Sequence, residues 1–204
     1  MNKKIHIGII GFMMAIFFII GFMVKDTAEG ILFDISILEF LHSGTSPIVF
    51  KIMKFISFIG SGKFLLPIIG VIVLYLIIKK KYYIAKLLLA GTIGSYSVNF
   101  ILKILFHRIR PIEFFRVNQS GYSFPSGHSM VSMSMYLMIA YILTRDEDDL
   151  KKKRFLYVLS IILVLLMGFS RLYLGVHWPT DVIGGYIVGY IVYYISIRII
   201  KENN

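Results

Sequence analysis

Long apolar runs are the feature that most constrains how this chain can fold. The first run, Ile5–Val24, is 20 residues long and follows Lys3 and Lys4. About 20 apolar residues in a helix match the hydrocarbon thickness of a bilayer. The apolar segment of a secretory signal is shorter, at roughly 7–15 residues. We therefore expect this run to be retained as a first membrane-spanning helix.

Five more apolar runs follow, separated by short polar segments. They are Phe64–Ile78, Tyr82–Leu105, His128–Leu143, Phe155–Tyr173 and Val182–Ile200. The Phe64 run is short, and we expect its helix to begin nearer Phe55, with Gly60 and Gly62 inside it or at its mouth. Hydrophobic residues make up 57% of the chain and occur in blocks, as in integral membrane proteins. The predicted fold is all-α: a bundle of six transmembrane helices in a single domain over residues 1–204.

The segment 30–43, between the first two predicted spans, is too short and too polar to cross a membrane. Four of its apolar residues recur at helical spacing: Ile31, Ile35, Leu38 and Leu41. The polar residues Asp34, Glu39 and His42 are interspersed among them. This pattern is typical of a short helix that lies in the membrane interface.

The distribution of lysine and arginine predicts the orientation of the bundle. With six spans both termini lie on one side, and that side collects 13 of the 22 basic residues: Lys3, Lys4, Lys79, Lys80, Lys81, Lys86, Arg145, Lys151, Lys152, Lys153, Arg154, Arg198 and Lys201. Five of the other nine lie in or near the polar motifs described below. The positive-inside rule therefore predicts a cell-membrane protein with cytoplasmic termini and with these motifs at the extracytoplasmic face.

The net charge of +11 has a second possible explanation in nucleic-acid binding. The basic residues are scattered between apolar blocks and do not form one stripe, so we expect no nucleic-acid partner. Membrane topology and an anionic ligand account for the charge better. No feature of the sequence indicates an obligate protein partner.

The first polar motif contains Lys103 and Arg110, followed by Pro111. Seven residues are two helical turns, so both cations would lie on one helix face if the third span continued that far. Pro111 would then end or kink the helix. Two cations on one face can bind one anion, with the arginine making bidentate contacts. The alternative is a pair of basic side chains that extend to the membrane interface.

The second motif is Pro125-Ser126-Gly127-His128, at the start of the fourth predicted span. Ser126 is a preferred N-cap residue, and Gly127 lets a ligand approach the backbone. The N–H groups in the first turn of such a helix bind anions. His128 would lie beside the bound anion, where it could exchange a proton. The alternative is an ordinary capped helix.

The third motif, Ser170–Asp181, lies between the last two predicted spans. Arg171 can bind a phosphate. His177 and Asp181 are four residues apart, and Pro179 suits the first position of a helix. The carboxylate can then accept the proton of one imidazole nitrogen, which directs the other nitrogen toward a substrate. The alternative is a first-turn acid that stabilises the helix dipole.

Four neighbouring residues have a simpler interpretation. His107 and Arg108 are interpreted as basic residues that extend to the interface. Tyr173 and Trp178 are interpreted as part of an interfacial aromatic belt. None of the four is predicted to belong to the site.

Together the motifs resemble the signature of the type 2 phosphatidic acid phosphatase superfamily. The matching positions are Lys103 and Arg110-Pro111, then Pro125-Ser126-Gly127-His128, then Ser170-Arg171, His177 and Asp181. The motifs cover residues 103–181, and the six-helix pattern is similar to the membrane branch of that family.

The resemblance implies a role for each matching residue. His177 would be the nucleophile that forms a phosphohistidine, Asp181 would orient it, and His128 would protonate the leaving oxygen. The phosphate cradle would consist of Lys103, Arg110, Ser126, Gly127 and Arg171. The family needs no metal or other cofactor. The sequence agrees, since it has no cysteine and no carboxylate cluster of the kind that a magnesium site requires.

The expected function is that of a membrane lipid phosphatase. The resemblance favours phosphatidylglycerophosphate or undecaprenyl diphosphate as substrate, with phosphatidate as a further possibility. Two alternatives stay open: a phosphotransferase, in which another acceptor replaces water, and a non-catalytic transporter of an anionic lipid. Two histidines in opposite protonation states predict a bell-shaped pH profile.

Overall fold

All regular secondary structure in the described part of the computed structural model, residues 3–44 and 46–200, is helical. The α-helices are α1 Lys3–Met23, α2 Leu32–His42, α3 Pro47–Ile59, α4 Gly62–Ile78, α5 Tyr82–Leu89, α6 Ser95–Phe106, α7 Gly127–Thr144, α8 Leu150–Tyr173 and α9 Pro179–Ile199. The prediction of an all-α fold is confirmed. Lys201 and the side chains of Lys3 and Lys4, which contribute to the predicted orientation, lie outside the described residues.

Four helical segments within the described residues are long and apolar enough to cross a membrane: Ile5–Met23, Tyr82–Phe106, Leu150–Tyr173 and Pro179–Ile199. A fifth span results if α3 and α4, which meet at a bend of 41°, are counted as one. The second span is predicted to begin nearer Phe55, and the residues of this early start belong to α3, a helix separate from α4. The count of six spans is not confirmed, because α7 does not meet the same criterion of length and apolarity.

Helix α7 is the centre of the bundle and packs against α5, α6, α8 and α9. It contains Ser129, Ser132 and Ser134, all buried, which explains why it is less apolar than its neighbours. Their hydroxyl groups are satisfied within the protein. Ser134 Oγ, for example, donates to the Gly91 carbonyl at 2.6 Å. A central helix of this kind faces other helices more than lipid.

Glycines of α9 allow α7 and α9 to pack closely. A Cβ placed on Gly185 would lie 2.7 Å from the Ser126 carbonyl oxygen, and one on Gly189 would overlap the Met130 carbonyl. Small residues permit such close backbone contacts between membrane helices. The close approach brings the first turn of α9 beside the first turn of α7.

The sequence correctly predicts the helix of segment 30–43, which is α2. Two of its side chains, Asp34 and Leu38, are buried in the protein. The location of α2 at a membrane interface stays a prediction.

Candidate active site

His177 and Asp181 meet at the start of α9. Pro179 is the first residue of this helix, as predicted, and Asp181 lies in its first turn. The distance from His177 Nδ1 to Asp181 Oδ2 is 3.2 Å. The Trp178 N–H donates to the same carboxylate oxygen at 2.9 Å. The predicted contact between the imidazole and the carboxylate is therefore present.

The other imidazole nitrogen faces Arg110, whose Nη1 lies 3.1 Å from His177 Nε2. A guanidinium can only donate hydrogen bonds, so Nε2 presents a lone pair and Nδ1 carries the proton. Burial lowers the pKa of His177 well below its ordinary value, and the positive charges of Arg110 and Lys103 lower the pKa further. The lowered pKa favours the neutral imidazole that a nucleophile requires, with the lone pair of Nε2 directed toward Arg110.

Lys103 and Arg110 come together, but not on a common helix face. Helix α6 ends at Phe106, and His107 follows in the left-handed conformation with φ of 48°, so the condition for a common face, a helix that continues to Arg110, is not met. The two cations converge instead on one backbone carbonyl. Arg110 Nη2 donates to the Tyr122 oxygen at 3.2 Å, and Lys103 Nζ donates to the same oxygen.

Arg110 is held by further carbonyl groups. Its Nε donates to the Gly121 carbonyl at 2.8 Å and its Nη1 to the Val176 carbonyl at 2.5 Å. Burial lowers the pKa of Arg110 to about 10, which leaves the side chain charged at neutral pH. No carboxylate of the described residues forms an ion pair with it, and so its charge is oriented without being neutralised.

Ser126 caps α7, as predicted. Its Oγ accepts from the Ser129 N–H at 3.4 Å, and its own N–H donates to the Asp181 carbonyl at 2.9 Å. Gly127 is the first residue of the helix. A Cβ at Gly127 would lie 2.9 Å from Asn99 Oδ1, so a side chain there would collide with α6. These contacts fix the first turn of α7 next to Asp181.

Arg171 and His128 line a cavity of about 210 Å³ on another side of the site. Arg171 lies in the last turn of α8 and is buried. It donates to Ser57 Oγ of α3 and, at 3.0 Å, to Gln119 Oε1. Its Nε is buried and has no hydrogen-bond partner within the described residues. One donor of this arginine therefore has no partner in the described part of the protein.

Arg108 belongs to the site, and its interpretation as an interfacial residue is wrong. The side chain is fully buried. Nη1 donates to Asp181 Oδ1 at 2.8 Å, and Nη2 donates to Asp34 Oδ2 at 2.6 Å. Asp34 also accepts from the N–H and the hydroxyl of Thr180 at 2.9 and 2.8 Å. Arg108 thereby connects α2 to the carboxylate that orients His177.

The aromatic residues of the third motif are also buried, so the predicted aromatic belt is wrong for both. Trp178 has no exposed surface. Its Nε1 donates to the Ile109 carbonyl at 3.0 Å, and its ring lies 5.3 Å from Arg108 Cζ. Tyr173 is 6% exposed and packs against the Arg116 guanidinium at 4.4 Å. Both rings support the loop between α8 and α9.

Ser123 is a second residue that the motifs did not identify. It is buried, its hydroxyl donates to Asp181 Oδ2, and its Oγ lies 3.4 Å from His177 Nδ1. The Asp181 carboxylate thus accepts hydrogen bonds from Ser123, the Trp178 N–H, Arg108 and His177. Such a saturated carboxylate holds its position firmly. The sequence contains one signal for Ser123, its location just before the second motif.

The assembled site combines a neutral imidazole with cations that have no carboxylate partner among the described residues. Arg110 contacts His177 Nε2 directly, and the charges of Lys103 and Arg171 also lower the pKa of His177. Converging cations and a helix N-terminus stabilise the negative charge of a phosphoryl group during transfer. The geometry therefore suits the transfer of a phosphoryl group to a histidine.

Comparison with known proteins agrees with this chemistry. The family model described as PAP2 superfamily matches residues 83–204, more than half of the chain. Phosphatidylglycerophosphatase B of Bacillus subtilis is 36% identical over 146 residues, which cover 71% of this chain and 72% of that protein. Undecaprenyl-diphosphatase of Sulfolobus acidocaldarius is 24% identical over 195 residues, which cover 92% and 89%.

A solved structure has the same fold. The crystal structure of a transmembrane PAP2 type phosphatidylglycerolphosphate phosphatase from Bacillus subtilis superposes with a TM-score of 0.82 at 30% identity. The match covers 93% of this chain and 94% of that one. Together with the family model, it shows that this chain belongs to the PAP2 superfamily and is a multi-pass membrane phosphatase.

Proposed function

We propose that this protein hydrolyses the terminal phosphate of a membrane lipid through a phosphohistidine on His177. The observation that carries the proposal is the pair of contacts made by this imidazole. Its Nδ1 faces Asp181 at 3.2 Å, and its Nε2 faces Arg110 at 3.1 Å. One contact fixes the tautomer, and the other places the lone pair where a bound phosphate would lie.

In the first step, His177 Nε2 attacks phosphorus and the bond between phosphorus and the leaving oxygen breaks. His128 gives its proton to that oxygen. The Nδ1 proton stays between His177 and Asp181, which stabilises the charge that develops on the imidazole. Lys103, Arg110, Arg171 and the first-turn N–H groups at Gly127 stabilise the phosphoryl oxygens, and Ser126 holds that turn in place.

In the second step, water replaces the lipid. His128, now neutral, takes a proton from the water as the water oxygen attacks phosphorus. The bond between phosphorus and Nε2 breaks, and inorganic phosphate leaves. The two histidines thereby return to their starting protonation states.

For the arrangement in the membrane we propose six spans in a single domain, with α7 as the additional span. This helix lies centrally among α5, α6, α8 and α9. The central position supports the proposal, because a helix that contacts other helices instead of lipid needs fewer apolar residues to cross the membrane. Both termini would be cytoplasmic, α2 would lie in the interface, and the site would open to the extracytoplasmic face. The excess of basic residues on the predicted cytoplasmic side supports this orientation.

For the substrate we propose phosphatidylglycerophosphate or undecaprenyl diphosphate, and phosphatidate as a weaker substrate. The support comes from the activities in the names of the two relatives, of which the phosphatidylglycerophosphatase is the more similar over its aligned length. We expect the bilayer and the lipid to be the only partners that catalysis requires.

The test is phosphate release by the purified protein from a panel of these three lipids and diacylglycerol diphosphate. The wild type should release inorganic phosphate equal to the substrate consumed, whereas a phosphotransferase would release less. His177→Asn should lower kcat by at least about 10⁴-fold, because the covalent step is lost. Its thermal unfolding should stay close to that of the wild type. Substantial turnover by a folded His177→Asn variant would refute the mechanism.

A further inference from the structure

The cavity beside His128 contains residues outside the family signature. We call it the His128 cavity, and the residues that matter here are Lys54, Ser57, Ser61, Gln119, His128 and Arg171. Its volume of about 210 Å³ is below the roughly 300–1,000 Å³ of pockets that enclose a drug-sized molecule. A polar headgroup fits such a space, and long acyl chains do not.

The direction of the reaction decides which part of the substrate enters this cavity. In phosphoryl transfer the attacking and leaving atoms lie roughly in line on opposite sides of phosphorus. His177 attacks from one side, so the leaving oxygen must lie on the other, within reach of the proton on His128. The His128 cavity is therefore the space next to the leaving group.

The electrostatics of the His128 cavity favour an anion. The residues that line it include Lys54 and Arg171 and no carboxylate, and Lys54 forms no ion pair with any of the described residues. Two polar atoms of lining residues, Arg171 Nε and Ser61 Oγ, are buried without a hydrogen-bond partner in the described part of the chain. Buried polar groups of native proteins are normally paired, and these two unpaired atoms belong to residues that line the His128 cavity.

Helix α3 brings Lys54 to the cavity. Ser57, one turn further along the same helix, also lines the cavity and accepts a hydrogen bond from Arg171. The break between α3 and α4 lies beside His128, since a Cβ on Gly60 would be in van der Waals contact with His128 Cδ2, at 3.5 Å. Lys51, one turn before Lys54, lines a different cavity with Arg116. The two lysines are therefore a matched pair on one helix.

We propose that the His128 cavity is a subsite for a leaving group that carries its own phosphate anion, and that Lys54 binds this anion. This rests on the proposed function, because it takes His128 as the acid. A lipid diphosphate leaves behind a monophosphate, and phosphatidylglycerophosphate leaves behind a phosphodiester. Phosphatidate leaves behind a neutral diacylglycerol. Lys54 therefore selects between substrates by the charge of the part that remains after hydrolysis.

The experiment compares kcat/KM for phosphatidylglycerophosphate and phosphatidate of identical acyl chains in mixed micelles. The proteins are the wild type, Lys54→Gln, Lys54→Arg and the control Lys51→Gln. The quantity compared is kcat/KM for phosphatidylglycerophosphate divided by kcat/KM for phosphatidate. Lys54→Gln should lower this ratio about fivefold, the effect of one partly exposed ion pair. Lys54→Arg should restore most of the ratio, and Lys51→Gln should leave it unchanged. The effect of Lys54→Gln should shrink at high salt.

A binding measurement separates this proposal from the proposed function. The affinity for phosphatidylglycerol, the product with an anionic phosphodiester, is measured against that for diacylglycerol in the wild type and in Lys54→Gln. A preference for phosphatidylglycerol that needs Lys54 supports the subsite even if the wild type hydrolyses no lipid of the panel, a result that would refute the proposed function alone. An unchanged kcat/KM ratio together with unchanged binding overturns the subsite, and so does an equal effect of Lys51→Gln.

Discussion

Arg108 and Arg110 are two residues apart and both buried, yet the protein uses them in opposite ways. Arg108 forms ion pairs with Asp34 at 2.6 Å and Asp181 at 2.8 Å, so carboxylates neutralise its charge. Arg110 donates to the carbonyls of Gly121, Tyr122 and Val176. Carbonyl groups hold a guanidinium in place and leave its full positive charge available.

The difference shows how a buried site can hold a cation ready for an anionic substrate. A buried charge without any partner is strongly destabilising, and a complete ion pair has no charge left for a ligand. Arg110 is an intermediate case, with backbone carbonyl dipoles on one side and the proposed position of the phosphate on the other. Arg108, in contrast, stabilises the position of Asp181 and has no predicted contact with substrate.

Replacing Arg110 tests the part of this comparison with the largest expected effect. Arg110→Gln keeps a hydrogen-bonding side chain and removes the charge, so kcat/KM should fall by about 10²–10³-fold, as when a donor to a developing charge is lost. The unfolding temperature in detergent should change little, since no carboxylate loses a partner. A decrease in kcat/KM of less than about tenfold would show that Arg110 is not part of the phosphate site.

Replacing Arg108 should lower the stability of the protein more than its activity, the reverse of the result expected for Arg110. Arg108→Met leaves Asp34 and Asp181 buried without their cation, which should cost about 3–5 kcal/mol of unfolding free energy. The activity of the folded fraction should fall less, by about tenfold, because Asp181 loses one of its supports. Thermal unfolding can be followed by the fluorescence of Trp178, the single tryptophan of the chain, whose ring packs against this arginine.

Arg108→Lys is the matched control for this prediction. A lysine keeps the charge but cannot contact both carboxylates in the planar geometry of a guanidinium, so its stability should lie between those of the wild type and Arg108→Met. A loss of activity from Arg108→Met as large as that from Arg110→Gln, with unchanged stability, would contradict the assigned difference between the two arginines.

The smallest expected effect is on the pH dependence. Burial and the charges of Arg110 and Lys103 lower the pKa of His177. The neutral, nucleophilic form therefore persists as the pH falls, and the acid limb of kcat/KM should have its midpoint below 6.5, the ordinary value for histidine. In Arg110→Gln one cause of the shift is removed, and the midpoint should move up by less than about one unit. An acid midpoint above 6.5 in the wild type would contradict this assignment.

The sequence was most informative where the chemistry depends on residues close together in the chain. The contact between His177 and Asp181 follows from a spacing of four at a helix start, and the N-cap at Ser126 follows from the type of residue before an apolar run. The common helix face considered for Lys103 and Arg110 does not form, because the helix ends at Phe106 and His107 adopts the left-handed conformation. A histidine signals that conformation far more weakly than a glycine does.

Arg108, Ser123 and Asp34 were missed for a different reason. Each contacts Asp181 or its neighbour Thr180 from a distant part of the chain, as in the hydrogen bond between Asp34 and the Thr180 N–H. Nothing in the local pattern distinguishes an arginine that extends to the interface from one that is buried against two carboxylates. Burial of a long charged side chain depends on which acids the fold brings to it.

By itself, then, the sequence determined that the chain is an all-helical membrane protein, and it predicted that three polar motifs form one phosphate site. Both conclusions depend on local patterns: the length of apolar runs and the spacing of polar residues. Only the tertiary structure decided which arginine is neutralised and which stays charged, and that Lys54 faces the cavity beside His128 while Lys51 does not. The charge state and the surroundings of a buried group are set by neighbours that are remote in sequence.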